Sequence, residues 1–121
     1  MSIYQEIILD HYRFPRHKGT LPKPTHHAMA DNPLCGDHLE MDILMADNGV
    51  KEIAFSGQGC AISQASASML SEYAVGKSND ELLKLDSSFI TEMLGIELEP
   101  NGIKCAVLSL ETLQRTLPTP V

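Results

Sequence analysis

The chain contains three cysteines, and each lies where a predicted helix or strand begins. Cys35 lies in "NPLCGDH", between a proline and a glycine and just before a predicted strand. Cys60 lies in "GQGCAIS", where a strand gives way to a helix, and Cys105 lies at the predicted head of the last helix. A single free cysteine is most often a small buried hydrophobe, but this shared placement favours thiols that bind a metal or act as nucleophiles.

The predicted positions of Cys60 and Cys105 favour their thiolate forms. A helix N-terminus carries unpaired N–H groups and a partial positive charge, which stabilise a nearby negative charge. Glycines beside Cys35 and Cys60 allow backbone amides to approach a sulfur or a metal closely. Since the thiolate is both the metal ligand and the nucleophile, this arrangement suits either chemistry.

A metal site needs a ligand beyond the three sulfurs, and Asp37 is the first candidate. It follows Cys35 by two residues, so a turning loop can aim both side chains at one ion. The alternative is a turn residue whose side chain bonds to its own backbone. The competing nitrogen donors are His26, His27 and His38, and their alternative role is that of exposed loop residues.

Other kinds of site fit the sequence less well. The cysteines are 25 and then 45 positions apart, which is not the paired CxxC spacing of a zinc ribbon. No phosphate-binding loop, GxSxG or HExxH motif occurs. A hydrolase with Cys35 as nucleophile and one of the histidines as base remains an alternative, but it gives Cys60 and Cys105 no role.

Composition limits the class of protein. A chain of 121 residues with 43% apolar and 21% charged residues predicts a single domain over residues 1–121, and its apolar runs are too short to span a bilayer. The net charge of −7 argues against nucleic-acid binding. The N-terminus lacks a basic leader and a small-residue cleavage site, which predicts no secretory signal and a cytoplasmic location. Three cysteines cannot all pair within one chain, so they are expected to be free, metal-bound or catalytic.

Hydrophobic periodicity predicts helices around a small antiparallel sheet of two or three strands. A capping box formed by Ser2 and Gln5 marks the start of the first helix, and "DNG" at Asp47–Gly49 is a hairpin turn signal. The predicted strands are a short one near His27–Ala30, one over Leu39–Met45 and one over Val50–Phe55. The predicted helices are Ser2–Tyr12, one from about Cys60 to Gly76, one or two between Ser78 and Leu94, and Ile103–Leu117.

Over essentially its whole length the sequence resembles the iron–sulfur cluster assembly scaffolds, the family of IscU, SufU and the N-terminal domain of NifU. The resemblance rests on "IYQEIILDHYRFPRHKG", "NPLCGD", "GQGCAISQASASML" and "IKCAVLSLETL". It implies an α+β fold with a three-stranded antiparallel sheet packed against several helices. It also implies that Cys35, Asp37, Cys60 and Cys105 form one ligand set, and that Cys35 accepts persulfide sulfur from a cysteine desulfurase.

The sequence departs from the pattern of both branches of the family. In the IscU branch a histidine precedes the third cysteine, within a segment read by a dedicated Hsp70 chaperone, whereas this chain has Lys104 and no such segment. This counts against that chaperone as a partner. Lys104 resembles the SufU branch, but the interval between Cys60 and Cys105 is too short for the SufU insertion. Lys104 is either a solvated residue or a cation that favours the Cys105 thiolate and pairs with Asp37.

The resemblance implies two related functions. The first is a scaffold, rather than an enzyme, that builds a [2Fe–2S] cluster and passes it to apo iron–sulfur proteins or carrier proteins. In such a site Asp37 is the weakest of the four ligands, which favours release of the cluster, because a hard oxygen holds iron less stably than a thiolate does. The second is a sulfur acceptor that holds Zn²⁺ on the same residues. In both, the cysteine desulfurase is the partner, with neither nucleic acid nor membrane involved.

Overall fold

In a computed structural model of the chain, residues 2–33 and 36–118 are described. They form five helices and three strands. In chain order these are α1 (Ile3–Arg13), β1 (His26–Asn32), β2 (Asp37–Ala46), β3 (Gly49–Gln58), α2 (Ala61–Ala74), α3 (Asn79–Leu83), α4 (Ser87–Leu94) and α5 (Pro100–Thr116). The predicted α+β class is therefore confirmed. Within the described ranges, no helix has both the length and the apolar character needed to cross a membrane.

The strands form one antiparallel sheet in the order β1-β2-β3. Asp47 and Asn48 both have positive φ, which is the backbone of the tight hairpin turn that "DNG" predicts. β1 and β3 are longer than predicted, because main-chain pairing with β2 continues through residues without an alternating apolar pattern. These extensions bring β1 to Asn32 and β3 to Gln58, beside the predicted ligands.

The core lies between one face of the sheet and the helices. Along β2, Leu39, Met41 and Ile43 are fully buried, whereas the residues between them are half-buried on the other face. Helices α2 and α5 pack on the buried face and against each other. Ser66 donates a 2.8 Å hydrogen bond to the carbonyl of Ala106, so small polar side chains join these two helices closely. This packing fixes the position of α2, whose first turn follows Cys60.

Helix α1 begins with the predicted capping box, in which Ser2 and Gln5 bond each other's backbone N–H groups. The predicted helix over Ser2–Tyr12 is confirmed. Most of its apolar residues are exposed: Ile8 is buried, while Ile3 is 66% exposed and Tyr12 is 47% exposed. α1 packs against α2, and most of its apolar residues lie outside that contact.

His11 contributes a buried polar contact between α1 and α2. Its Nδ1 lies 2.7 Å from the Ser68 hydroxyl, which also accepts the backbone N–H of Arg16 at 2.8 Å. Its Nε2 lies 3.5 Å from a carboxylate oxygen of Glu72. Burial, and then the nearby Arg16 charge, lower the pKa of His11 below its usual 6.5. The surroundings of His11 in the folded chain therefore favour its neutral form.

His11 should make the fold less stable as pH decreases from about 7 to 5, whereas His38, whose pKa is raised, contributes in the opposite direction. A His11 pKa below its unfolded value means that the unfolded chain binds more protons in this range, so acid favours unfolding. Urea denaturation at several pH values measures this dependence. We expect His11→Gln to reduce the loss of stability toward acid pH, and His26→Gln, whose ring contacts the adjacent Thr25 hydroxyl, to keep the wild-type pH dependence. Equal slopes for all three proteins would contradict this assignment.

Candidate metal centre

Three of the four predicted ligands converge at one end of the sheet. Asp37 is the first residue of β2, Cys60 precedes α2 and Cys105 lies in α5. A carboxylate oxygen of Asp37 and the two sulfurs all lie within 4.8 Å of one another. Cys35 lies outside the described residues, so its place in the ligand set stays a prediction.

Asp37 is held so that its two oxygens have different surroundings. Its side chain is almost completely buried, with 2% of the residue exposed. Oδ1 accepts the backbone N–H of Cys60 at 3.0 Å, and Oδ2 lies 3.9 Å from the Cys60 sulfur. A buried carboxylate is costly unless it is hydrogen-bonded and paired. One oxygen thus fixes the orientation of the carboxylate, and the other faces the thiol.

Gly59 makes this arrangement possible. A Cβ atom at residue 59 would lie 2.4 Å from Asp37 Oδ1 and 2.6 Å from the Ser63 hydroxyl, closer than real Cβ contacts. The sequence suggested that glycine beside Cys60 would let backbone amides approach a sulfur or metal. In the structure, it lets the carboxylate approach the backbone amide.

Cys60 lies where the sequence predicted it, at the N-cap position of α2. It is exposed to solvent. The predicted position of Cys105 is wrong. Helix α5 begins at Pro100 rather than Ile103, so Cys105 lies in the second turn, beyond the strongest field of the helix end. Pro100 suits a first helical position, and Gly102 lies inside the helix rather than in a turn.

Cys105 is also more buried than predicted, with 5% of the residue exposed. Its sulfur lies 3.8 Å from Nδ2 of Asn32, the last residue of β1. Sequence reasoning missed Asn32. The only available signal was an asparagine immediately before the proline of "NPLCGD".

The three histidines considered as competing ligands do not join this group. They lie in strands rather than in loops. His38 follows Asp37 in β2, so its side chain points to the opposite face of the sheet. Its ring nitrogens lie 2.6 Å from Asp31 and 3.0 Å from Glu40, and hydrogen bonds to Glu40 and Asp31 raise the pKa of His38. His27 pairs with Asp42 at 2.6 Å on that same face, and His26 contacts the Thr25 hydroxyl.

Lys104 is exposed beside Cys105, on the rim of a cavity of about 330 Å³ between α5, β1 and the start of α4. Among the ion pairs of the described residues, none joins Lys104 to Asp37. Successive helical residues point about 100° apart, so the side chains of Lys104 and Cys105 leave α5 in different directions. An electrostatic role for Lys104 stays a prediction.

The donor set fits a tetrahedral metal ion. Metal–ligand lengths of about 2.0–2.3 Å place neighbouring ligand atoms about 3.5–3.8 Å apart in a tetrahedron. The 3.9 Å between Asp37 Oδ2 and the Cys60 sulfur is close to that spacing. Small side-chain rotations would therefore bring Asp37, Cys60 and Cys105 into a common coordination sphere.

The comparison with protein families agrees with this geometry. The model of the NifU-like N terminal domain matches residues 3–119, nearly the whole chain. The chain belongs to this family. The predicted resemblance is thus confirmed.

Relatives of this NifU-like domain carry two different names. The zinc-dependent sulfurtransferase SufU of Bacillus subtilis is 33% identical, covering 94% of this chain and 88% of that protein. The iron-sulfur cluster assembly scaffold protein IscU of Haemophilus influenzae is 35% identical, covering 94% and 92%. A crystal structure from Fervidobacterium islandicum AW-1, described as a candidate cluster assembly scaffold for the SUF system, has a TM-score of 0.75 at 26% identity, covering 93% and 95%.

Neither sequence identity nor alignment length separates the two branches, because the match with another relative named IscU, from Streptococcus pyogenes, runs over 133 positions. The match with the Bacillus SufU runs over 131 positions, more than the 121 residues of this chain, so that relative has residues that this NifU-like domain lacks. The match with the Haemophilus IscU runs over 118 positions.

Proposed function

We propose that this chain is an iron–sulfur cluster assembly scaffold. It accepts sulfur from a cysteine desulfurase, assembles a [2Fe–2S] cluster on Cys35, Asp37, Cys60 and Cys105, and passes the cluster to apo-proteins or carrier proteins. The observation that carries the proposal is the convergence of Asp37, Cys60 and Cys105 within 4.8 Å in a chain of the NifU-like family. Residues 1–121 act as one domain, in the cytoplasm, where a reducing environment keeps the thiols free.

The surroundings of the ligands suit a cargo that must be bound and then released. Asp37 and Cys105 are buried, whereas Cys60 is exposed, so the group is accessible from one side. Asp37 Oδ1 stays bonded to the Cys60 N–H, which leaves Oδ2 as a single, hard ligand among sulfurs. Hard oxygen ligands hold iron less firmly than thiolates do. This donor set therefore favours transfer over permanent retention.

Sulfur delivery requires a nucleophilic thiolate next to the ligand group. The sequence places Cys35 two residues before Asp37. The Cys35 thiolate attacks the terminal sulfur of the desulfurase persulfide, a new S–S bond forms on Cys35, and the desulfurase cysteine leaves as a thiolate. No net oxidation occurs in this exchange. The sulfur is then beside the residues that hold the cluster.

A second candidate function is that of a zinc-bound sulfur acceptor. It is supported by the 3.9 Å distance between Asp37 Oδ2 and the Cys60 sulfur, which is close to the distance between two ligands of a tetrahedral ion. It is also supported by the Bacillus relative, which is named zinc-dependent. Cys35, Asp37, Cys60 and Cys105 would hold the ion, and Zn²⁺ supplies a redox-inactive centre that keeps thiolates available. The desulfurase partner and the sulfur transfer to Cys35 are the same in both functions.

One purified sample can separate these functions. We would measure the metal content and visible spectrum of anaerobically purified protein, reconstitute it with iron and sulfide, and assay stimulation of a cysteine desulfurase. A reconstituted [2Fe–2S] spectrum with transfer to an apo-protein supports the scaffold. Stoichiometric zinc with stimulation, but without a cluster after reconstitution, supports the zinc-bound acceptor. Protein that binds neither metal nor cluster would overturn both.

The alternative of a hydrolase with a cysteine nucleophile makes the opposite prediction for two thiols. It requires Cys35 and a histidine, so activity should survive Cys60→Ala combined with Cys105→Ala. Both proposed functions require those thiols as ligands and predict loss of metal binding in this double variant. The metal content of the double variant therefore decides between the two classes.

A further inference from the structure

Asn32 lies at the metal centre although it is not one of its predicted ligands. It is the last residue of β1 and pairs in register with Asp37, the first residue of β2. Only 8% of the residue is exposed. Directly opposite residues in antiparallel strands place their side chains on the same face of the sheet. The Asn32 side chain thus shares the buried face on which Asp37 meets the two thiols.

The contact between Asn32 and Cys105 has the chemistry of a donor and an acceptor. Asn32 Nδ2 lies 3.8 Å from the Cys105 sulfur, within the longer range that hydrogen bonds to sulfur adopt. A side-chain amide donates two N–H groups, and a thiolate accepts them readily. The amide is neutral, so it stabilises the sulfur without adding a positive charge.

The two partners lie on separate rigid elements. Asn32 ends a strand of the sheet, and Cys105 lies within the long helix α5, which packs against that strand. A hydrogen bond between them fixes the χ1 rotamer of Cys105 relative to the sheet edge that carries Asp37. In the rotamer of the structure, the Cys105 sulfur lies within reach of this donor and within 4.8 Å of the Asp37 and Cys60 ligand atoms at the same time.

We propose that Asn32 is a positioning residue of the metal centre: its side-chain amide donates a hydrogen bond to the Cys105 sulfur and holds it toward Asp37 and Cys60. This inference rests on the proposed function, since it takes the Cys105 sulfur to be a metal ligand. Hydrogen bonds from outside the ligand set orient ligands and tune their electron donation, and their loss usually costs 10–100-fold in metal affinity. Asn32 would thereby set how tightly the centre binds and how readily it releases its cargo.

Co²⁺ is a suitable probe, because thiolate-to-Co²⁺ charge-transfer bands report on the sulfurs directly. We expect Asn32→Ala to lower Co²⁺ affinity about 10–100-fold and to shift these bands to longer wavelength, since a sulfur without its N–H donor gives up electron density more easily. Asn32→Leu is the sharper variant. It keeps approximately the size and branching of asparagine and adds no charge, but it removes the N–H donor, so a role in packing alone would survive it while the hydrogen bond would not.

Asp31→Asn is the matched control, because Asp31 is the preceding residue of β1 and its side chain contacts His38 on the opposite face. It should bind Co²⁺ with the wild-type spectrum. A wild-type protein that binds no Co²⁺ would overturn the metal centre itself. If the wild type binds Co²⁺ and both Asn32 variants bind it with the same affinity and spectrum, only the role of Asn32 would be overturned.

Discussion

Asp37→Ala should lower the affinity of the chain for Zn²⁺ by roughly 100-fold or more, a larger loss than removal of a residue outside the ligand set usually causes. The variant removes both functions of the carboxylate: the Oδ2 ligand and the Oδ1 acceptor that anchors it to the Cys60 N–H. Competition with a chromophoric zinc chelator measures the affinity. Asp31→Ala, which removes an exposed carboxylate that contacts His38, should retain wild-type affinity.

The same position tests the scaffold against the zinc-bound acceptor. After reconstitution with iron and sulfide, Asp37→Cys should hold a [2Fe–2S] cluster longer than the wild type, because an all-thiolate ligand set lacks the weak oxygen ligand. Absorbance decay under a chelator measures the lifetime. An unchanged lifetime would show that Asp37 is not the weak ligand of a transferable cluster. Unchanged Zn²⁺ affinity in Asp37→Ala would remove Asp37 from the centre altogether.

Local sequence signals predicted the parts of the fold that depend on local chemistry. The "DNG" turn, the Ser2–Gln5 capping box and the start of α2 after Cys60 all depend on residues within four positions of one another. The full extent of β1 and β3 could not be predicted in this way. Both strands continue because β2 supplies main-chain partners, and an alternating apolar pattern does not report such partners.

The exposure of α1 and the start of α5 were not predicted from the sequence. Apolar residues recur at helical spacing in α1, but packing against α2 decides which of them are buried. In α5, the pair Asn101–Gly102 has the composition of a turn, yet Pro100 begins a helix that includes both residues. Packing thus decides which α1 residues are buried, whereas the start of α5 follows the local preference of Pro100 for a first helical position.

The candidate ligands could be predicted from residue type, but their supporting residues could not. A cysteine has few alternative roles at an element boundary, and Asp37 is marked by its distance of two residues from Cys35, whereas asparagine and glycine are common in turns. Asn32 acquires its role through a contact with Cys105, 73 positions away in the chain. Gly59 acquires its role through the absence of a side chain next to Asp37. Neither relationship leaves a periodic pattern in the sequence.

Gly59→Ala should abolish most metal binding although it removes no ligand. The new Cβ would lie 2.4 Å from Asp37 Oδ1 and 2.6 Å from the Ser63 hydroxyl, so the Asp37 carboxylate must leave its hydrogen bond with the Cys60 N–H. We expect Zn²⁺ affinity to fall to about the level of Asp37→Ala. Gly102→Ala is the matched control, because a Cβ there makes only ordinary contacts with Leu98, at 3.5 Å.

A double-variant cycle distinguishes this cause from general damage to the fold. If Gly59 acts through Asp37, the combination of Gly59→Ala with Asp37→Ala should bind Zn²⁺ about as weakly as Asp37→Ala alone, because the carboxylate that Gly59 accommodates is already absent. Additive losses in the double variant would instead mean that the extra methyl group displaces Cys60 or the first turn of α2. Wild-type affinity in Gly59→Ala would show that the close fit between Gly59 and Asp37 does not determine metal binding.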